Sequence, residues 1–116
     1  MTQTVLIVED DFLISIDLAE LVEEAFEAEA SVKLSLAEAM AMAGANPAFA
    51  ILDIDLGDGK VFPFADRLVE DGVAFTFLSG SRANDLPERF RGCSFLPKPY
   101  TDEALFRLME PHLRRR

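Results

Sequence analysis

The sequence predicts an α/β protein built on a five-stranded, doubly wound parallel sheet, and three observations carry that expectation. Short aliphatic runs closed by acids, glycine or proline recur along the chain, as strands buried on both faces do. Between them apolar residues return at helical spacing. Strands and helices that alternate in this way call for right-handed crossovers and a parallel sheet covered on both faces. With 116 residues the chain has the size of one domain, taken to span residues 1–116.

The first strand covers residues 5–8 and ends in Glu9-Asp10-Asp11. Ile14, Leu18, Leu21, Val22 and Ala25 then recur at helical spacing, with Asp17, Glu20, Glu23, Glu24 and Glu27 on the other faces. Asp11 is placed to cap this helix, and acids early in it suit its positive end. Residues 31–34 form a weak second strand, assigned by its position between two helical segments. Ser35 opens a capping box with Glu38, and a small-residue helix carrying Ala37, Met40, Ala41 and Ala43 runs until Gly44 ends it.

After the Asn46-Pro47 turn, residues 49–53 are a fully apolar strand closed by Asp53, and the chain turns at once through Gly57-Asp58-Gly59. A helix follows over about residues 61–70, with Phe64, Ala65 and Leu68 on one side and Pro63 in its first turn. Residues 73–78 are the fourth strand, ending in Ser79-Gly80-Ser81, and residues 82–92 have the mixed polarity of a short helix. Phe95 and Leu96 make a minimal fifth strand that Pro97-Lys98-Pro99 stops. Thr101 and Asp102 begin the last helix, with Leu105, Leu108 and Met109 facing inward. His112 reads as a solvated partner of that helix's dipole, and Arg114-Arg115-Arg116 as a helix end and linker stub.

Composition narrows the function. Half the residues are hydrophobic, so a packed core is expected. A net charge of -10 argues against direct nucleic-acid binding, which needs clustered Lys and Arg to neutralise phosphates. Cys93 is the one cysteine, so no internal disulfide forms and nothing points to an oxidising compartment. Met1-Thr2-Gln3-Thr4 has no basic targeting region and leads into an apolar run too short to span a membrane. A cytoplasmic protein without membrane contact is the expectation.

Of the common doubly wound sheets, five strands fit the order 2-1-3-4-5, in which the first and third strands are neighbours at the switch point. Glu9 and Asp10 then stand beside Asp53, and Ser79 and Lys98 reach the same carboxyl edge, where ligands bind in open parallel sheets. Carboxylates about 5 Å apart at an effective dielectric of about 20 repel by roughly 3 kcal/mol per pair. Such a group either shares a proton with raised pKa values or seats a hard cation. Oxygen ligands without Cys or His select Mg²⁺, Mn²⁺ or Ca²⁺, and an incomplete cage that leaves room for water favours Mg²⁺.

Through Glu9-Asp10-Asp11 after the first strand, Asp53 after the third, Ser79 after the fourth and Lys98-Pro99 after the fifth, the chain resembles, over its whole length, the receiver domains of two-component response regulators. The resemblance implies a flavodoxin-like three-layer sandwich and a phosphoacceptor in place of a turnover enzyme. Asp53 would take a phosphoryl group from a histidine kinase or histidine phosphotransfer protein in a phosphorelay. Asp10 would ligate Mg²⁺ directly and Glu9 through water, with Asp53 also at the metal, and the backbone carbonyl of Asp55 would complete the protein ligands. Ser79 and Lys98 would bind phosphoryl oxygens. The face of the fourth and fifth strands and helices would carry the switch, with Phe95 as the aromatic that changes rotamer. A cis Lys98–Pro99 bond is also implied, and a monomer or weak dimer is expected.

Several features depart from the common receiver pattern. Ser79 stands where Thr is more usual, keeping the hydroxyl and losing a methyl. Leu56-Gly57-Asp58-Gly59 is a short loop without the usual proline, and the segment from Ser79 to Phe95 is also short. Phe77-Leu78-Ser79-Gly80 and Leu86-Pro87 are similar to a subgroup of small receivers whose strand ends Phe-Ala-Thr-Gly and whose switching differs. Two other readings stand beside this one. Asp53-Ile54-Asp55 also matches the Asp-x-Asp of haloacid-dehalogenase-like phosphatases, whose second Asp is a general acid. A receiver-like binding module that is never phosphorylated is the other.

Overall fold

The computed structural model describes residues 2–80 and 86–116. Strand β1 (Gln3–Val8) leads into helix α1 (Phe12–Ala25), followed by β2 (Ala28–Lys33), α2 (Leu36–Ala41) and β3 (Phe49–Asp53). Two very short strands, β4 (Asp55–Leu56) and β5 (Gly59–Lys60), precede α3 (Phe62–Glu70). Then come β6 (Phe75–Ser79), a 3₁₀ turn at Glu88–Phe90, β7 (Phe95–Pro97) and α4 (Asp102–Met109). The main sheet has five parallel strands in the order β2-β1-β3-β6-β7. Without the β4–β5 hairpin, this is the predicted 2-1-3-4-5 arrangement.

Each strand alternates its side chains between two cores, as the period of two requires. Val5, Ile7, Phe49, Ile51 and Leu78 meet α1 and α4 through Leu18, Val22, Leu105 and Met109. Leu6, Val8, Ala50, Leu52 and Phe77 face α2 and α3, with Phe64, Leu68 and Phe90 closing that side. In α1 the buried stripe is Ser15, Leu18 and Val22, while Ile14 is exposed. The inward face is therefore turned by one position from the apolar spacing, and the Ser15 hydroxyl is satisfied by donating to the Phe12 carbonyl at 2.6 Å.

The helix starts follow their caps. Asp11 accepts from the Ile14 amide at 3.1 Å and Thr101 from the Ala104 amide at 3.1 Å. At α2, Ser35 accepts from Glu38 N at 3.0 Å, and Glu38 reaches back to the Leu34 amide at 3.2 Å, one residue before its expected partner. The first two helical amides, Leu36 and Ala37, donate instead to the two oxygens of Asp58 at 2.8 and 3.0 Å. Those hydrogen bonds hold the Asp58 carboxyl below the usual carboxylate range.

Other expectations are corrected. β2 starts at Ala28, three residues before the predicted strand, because pairing with β1 recruits Gln3 and Thr4 as well. The loop after Asp53 is an antiparallel hairpin, with Asp55 opposite Lys60 and Leu56 opposite Gly59. Of the helix predicted over 82–92, residues 82–85 lie outside the described residues, and the described part is the 3₁₀ turn. Phe90 anchors that turn in the core, and Arg89 ties it to α3 by a two-pronged contact with Asp66 at 2.8 and 3.0 Å.

The terminal arginines are docked: Arg115 bridges Phe26 in antiparallel fashion and lies over the Phe26 and Phe106 rings. The Glu27 amide donates to the Arg114 carbonyl at 2.8 Å and the Arg116 amide to the Ala25 carbonyl at 2.9 Å. His112 is exposed beside the Phe49 ring, with centroids 5.6 Å apart. Among the described residues no helix is long and apolar enough to cross a membrane.

Candidate functional site

The register of the sheet builds the site. Val8 is paired with Leu52, so Glu9 and Asp53 are the next residues on neighbouring strands. Asp53 is in turn paired with Leu78, one residue before Ser79. Ser79 is paired with Pro97, and the Lys98 amide donates to the Ser79 carbonyl at 2.9 Å. Glu9, Asp10, Asp53, Ser79 and Lys98 therefore share one edge of the sheet, as their spacing predicted.

The acids converge. Oxygens of Glu9, Asp10 and Asp53 all lie within 4.8 Å of one another. Glu9 is almost wholly buried, Asp53 nearly so, and Asp10 is exposed. Lys98 Nζ stands between two of them, 3.5 Å from Glu9 Oε2 and 3.6 Å from Asp53 Oδ1. Glu9 Oε1 accepts the Asp11 amide at 3.1 Å, whereas Oε2 is buried with no hydrogen bond among the described residues.

Burial pushes the Glu9 carboxyl up to about 7 and the Asp53 charge adds to this, while the Asp11 amide and the Lys98 ammonium oppose it. Burial also raises Asp53, against the pull of Lys98 and a hydrogen bond from Glu9. Both carboxyls are thus raised from their ordinary range, with burial the main cause in each.

The donor set fits a hard cation. It contains only oxygens, one of them buried and without a hydrogen-bond donor, and its spread is close to the roughly 4 Å that opposite ligands of one Mg²⁺ span. Glu9, Asp10 and Asp53 are the side chains that could hold Mg²⁺, with open positions left for water.

The remaining predicted residues are placed as follows. Ser79 is buried at the end of β6. The Asp55 carboxylate is engaged in an exposed ion pair with Lys60. Phe95 is half-buried, opposite Phe77 in register and packed against the α2/α3 core. The Lys98–Pro99 bond is cis. Two neighbours escaped the sequence reading. Gly57 brings the hairpin turn over Asp10, where a side-chain carbon at that position would stand 3.9 Å from Asp10 Oδ2. Tyr100, half-buried beyond the cis bond, has its hydroxyl pKa raised by burial, with Glu9 and Asp102 adding to it.

No family model matches the sequence, and no curated protein matches it by sequence. Solved structures do. A CheY-like response regulator receiver domain protein from Methanospirillum hungatei JF-1 superposes with a TM-score of 0.80 at 21% identity, over 96% of this chain and 93% of that one. A CheY-like receiver domain from Methylobacillus flagellatus gives 0.80 at 24% identity, over 96% and 98%. The non-phosphorylated HemR receiver domain from Leptospira biflexa gives 0.79 at 25% identity, over 95% and 93%. With its five parallel strands, strand order and acid-bearing edge, the chain has the fold of the CheY-like response-regulator receiver domains.

Proposed function

We propose that this protein is a cytoplasmic response-regulator receiver that accepts a phosphoryl group on Asp53 from a histidine kinase or histidine phosphotransfer protein. The observation that carries the reading is the meeting of Glu9, Asp10 and Asp53 within 4.8 Å, with Lys98 Nζ 3.6 Å from Asp53. Acids alone would make a cation site. Acids faced by a lysine make a place where a carboxylate can take up phosphate.

An oxygen of Asp53 attacks phosphorus in line as the bond from phosphorus to the donor nitrogen breaks, and that nitrogen keeps the electron pair. The product is an acyl phosphate on Asp53. Lys98 neutralises charge on the transferring oxygens, and the Ser79 hydroxyl donates to one of them. Glu9, Asp10, Asp53 and the Asp55 carbonyl would hold Mg²⁺, which would add charge neutralisation at the same oxygens. The acyl phosphate adds roughly 1.5 to 2 negative charges at this edge, by analogy with hydroxyl phosphates. Lys98 and Ser79 respond first, so the face formed by β6, β7, the Glu88–Phe90 turn and α4 is the one that switches partner binding, with Phe95 on it.

The exposed pairing of Asp55 with Lys60 favours this reading over a phosphatase, whose second aspartate must reach the leaving group. Acetyl phosphate or beryllofluoride with Mg²⁺ should shift the amide spectrum around Ser79 and Phe95 in the wild type and leave Asp53→Asn unchanged. Repeated turnover of a generic phosphate ester would instead establish a phosphatase. A silent wild type would leave the unphosphorylated binding module.

A further inference from the structure

We infer that Asp58 is a positioning residue for the cation side of the site: through α2 it clamps the β4–β5 turn across Asp10. This rests on the proposed function, since it concerns the same acids. The turn begins only four residues after Asp53, so its placement sets where the backbone of residues 54–57 can lie. Two-residue strands hold a turn weakly by themselves, because a lone hairpin is marginal in water. Something outside the hairpin must fix it.

Asp58 supplies that fixation. Its two oxygens accept separately from Leu36 N at 2.8 Å and Ala37 N at 3.0 Å, tying the turn to an element more than twenty residues earlier in the chain. Gly59 lies against the same start of α2: a side-chain carbon there would meet Leu36 at 3.4 Å, and that glycine has φ +144. Gly57, between these contacts and the acids, stands against Asp10 Oδ2. The turn is thus wedged between the start of α2 and a cation-binding carboxylate. The Ser35 side chain already serves the Glu38 amide, and Leu36 and Ala37 are the amides that Asp58 serves.

A residue that only capped α2 would affect stability and nothing else. A residue that positions the turn also changes how well the acids hold a cation, typically by tenfold or more for such a supporting contact. The test is titration of the full chain with Mg²⁺ alone, followed by amide NMR, for the wild type, Asp58→Ala, Asp58→Asn and Thr101→Ala. In the wild type, Mg²⁺ should shift Leu36 and Ala37 together with Asp10 and Gly57. Asp58→Ala should weaken Mg²⁺ about tenfold and abolish the response of Leu36 and Ala37. Asp58→Asn, isosteric and keeping one acceptor oxygen, should weaken it less and serves if the alanine variant does not fold. Thr101→Ala removes a comparable cap from α4 and should leave Mg²⁺ binding unchanged. Equal Mg²⁺ affinity in wild type and both Asp58 variants would overturn the inference alone. A wild type that does not bind Mg²⁺ would overturn the reading of the site and the inference with it.

Discussion

The two faces of the sheet are covered in different ways. On one, helices of 14 and 8 residues lie over a mainly aliphatic core, with one phenylalanine pair among the described residues, Phe26 and Phe106, at 5.5 Å. On the other, helices of 6 and 9 residues leave more of the sheet to be covered, and rings fill the space. Phe62, Phe75, Phe77 and Phe90 form a chain of contacts with centroids 5.3 to 6.0 Å apart, mostly edge to face. Each such contact contributes about 0.5–1.5 kcal/mol beyond the area it buries. Where the backbone offers short helices and a 3₁₀ turn, large side chains take over the task of excluding water.

The largest test of this contrast is Phe90→Ala. It removes a fully buried ring that touches two others and should cost about 3–5 kcal/mol in urea denaturation. Phe106→Ala, with one phenylalanine contact and some exposure, should cost less. Equal losses would show that the aromatic face carries no special burden.

The acids lie on the seam between the two faces and respond to pH. In metal-free protein the folded Glu9 carboxyl titrates near 7 against 4.5 as its ordinary value. An acid with a raised folded pKa contributes stability that is complete at low pH and is lost as pH rises through the folded value. Asp53 is raised too and acts in the same direction. Glu9→Gln removes the main titrating group, so it should gain on the wild type between about pH 5 and about pH 8, by on the order of 2 kcal/mol. Paired melts across that range measure it, and a constant difference would refute the upward shift of Glu9.

The smallest effects concern the helix starts. Thr101→Ala removes the side-chain cap on α4 and should cost about 1 kcal/mol. Ser35→Ala should cost about half as much by thermal denaturation, because α2 keeps the other acceptors at its first turn.

These contrasts also explain what could be read in advance. β3 coincides with its predicted bounds, since an apolar run stopped by an acid has one reading. The convergence of Glu9, Asp10 and Asp53 followed from strand order alone, which requires no side-chain detail. The elements read wrongly depend on partners far away in the chain. The early start of β2 is set by pairing with β1, and the fastening of the last arginines by Phe26 and Glu27. The Leu56-to-Gly59 segment did carry a signal, because a glycine followed by a polar residue suits a two-residue hairpin turn. That Asp58 caps α2 could not be seen, since nothing local links positions 58 and 36.

Lys98 is nearly equidistant from two carboxylates, and neither separation is that of a tight hydrogen bond. An ammonium set between two carboxyl groups and locked to neither has no strong tie to break before it moves. Arginine in its place would keep the charge and lose this freedom, because its planar fork would grip one carboxylate with two prongs and stay there. The side chain thus rests loosely between two carboxylates at the edge of the sheet.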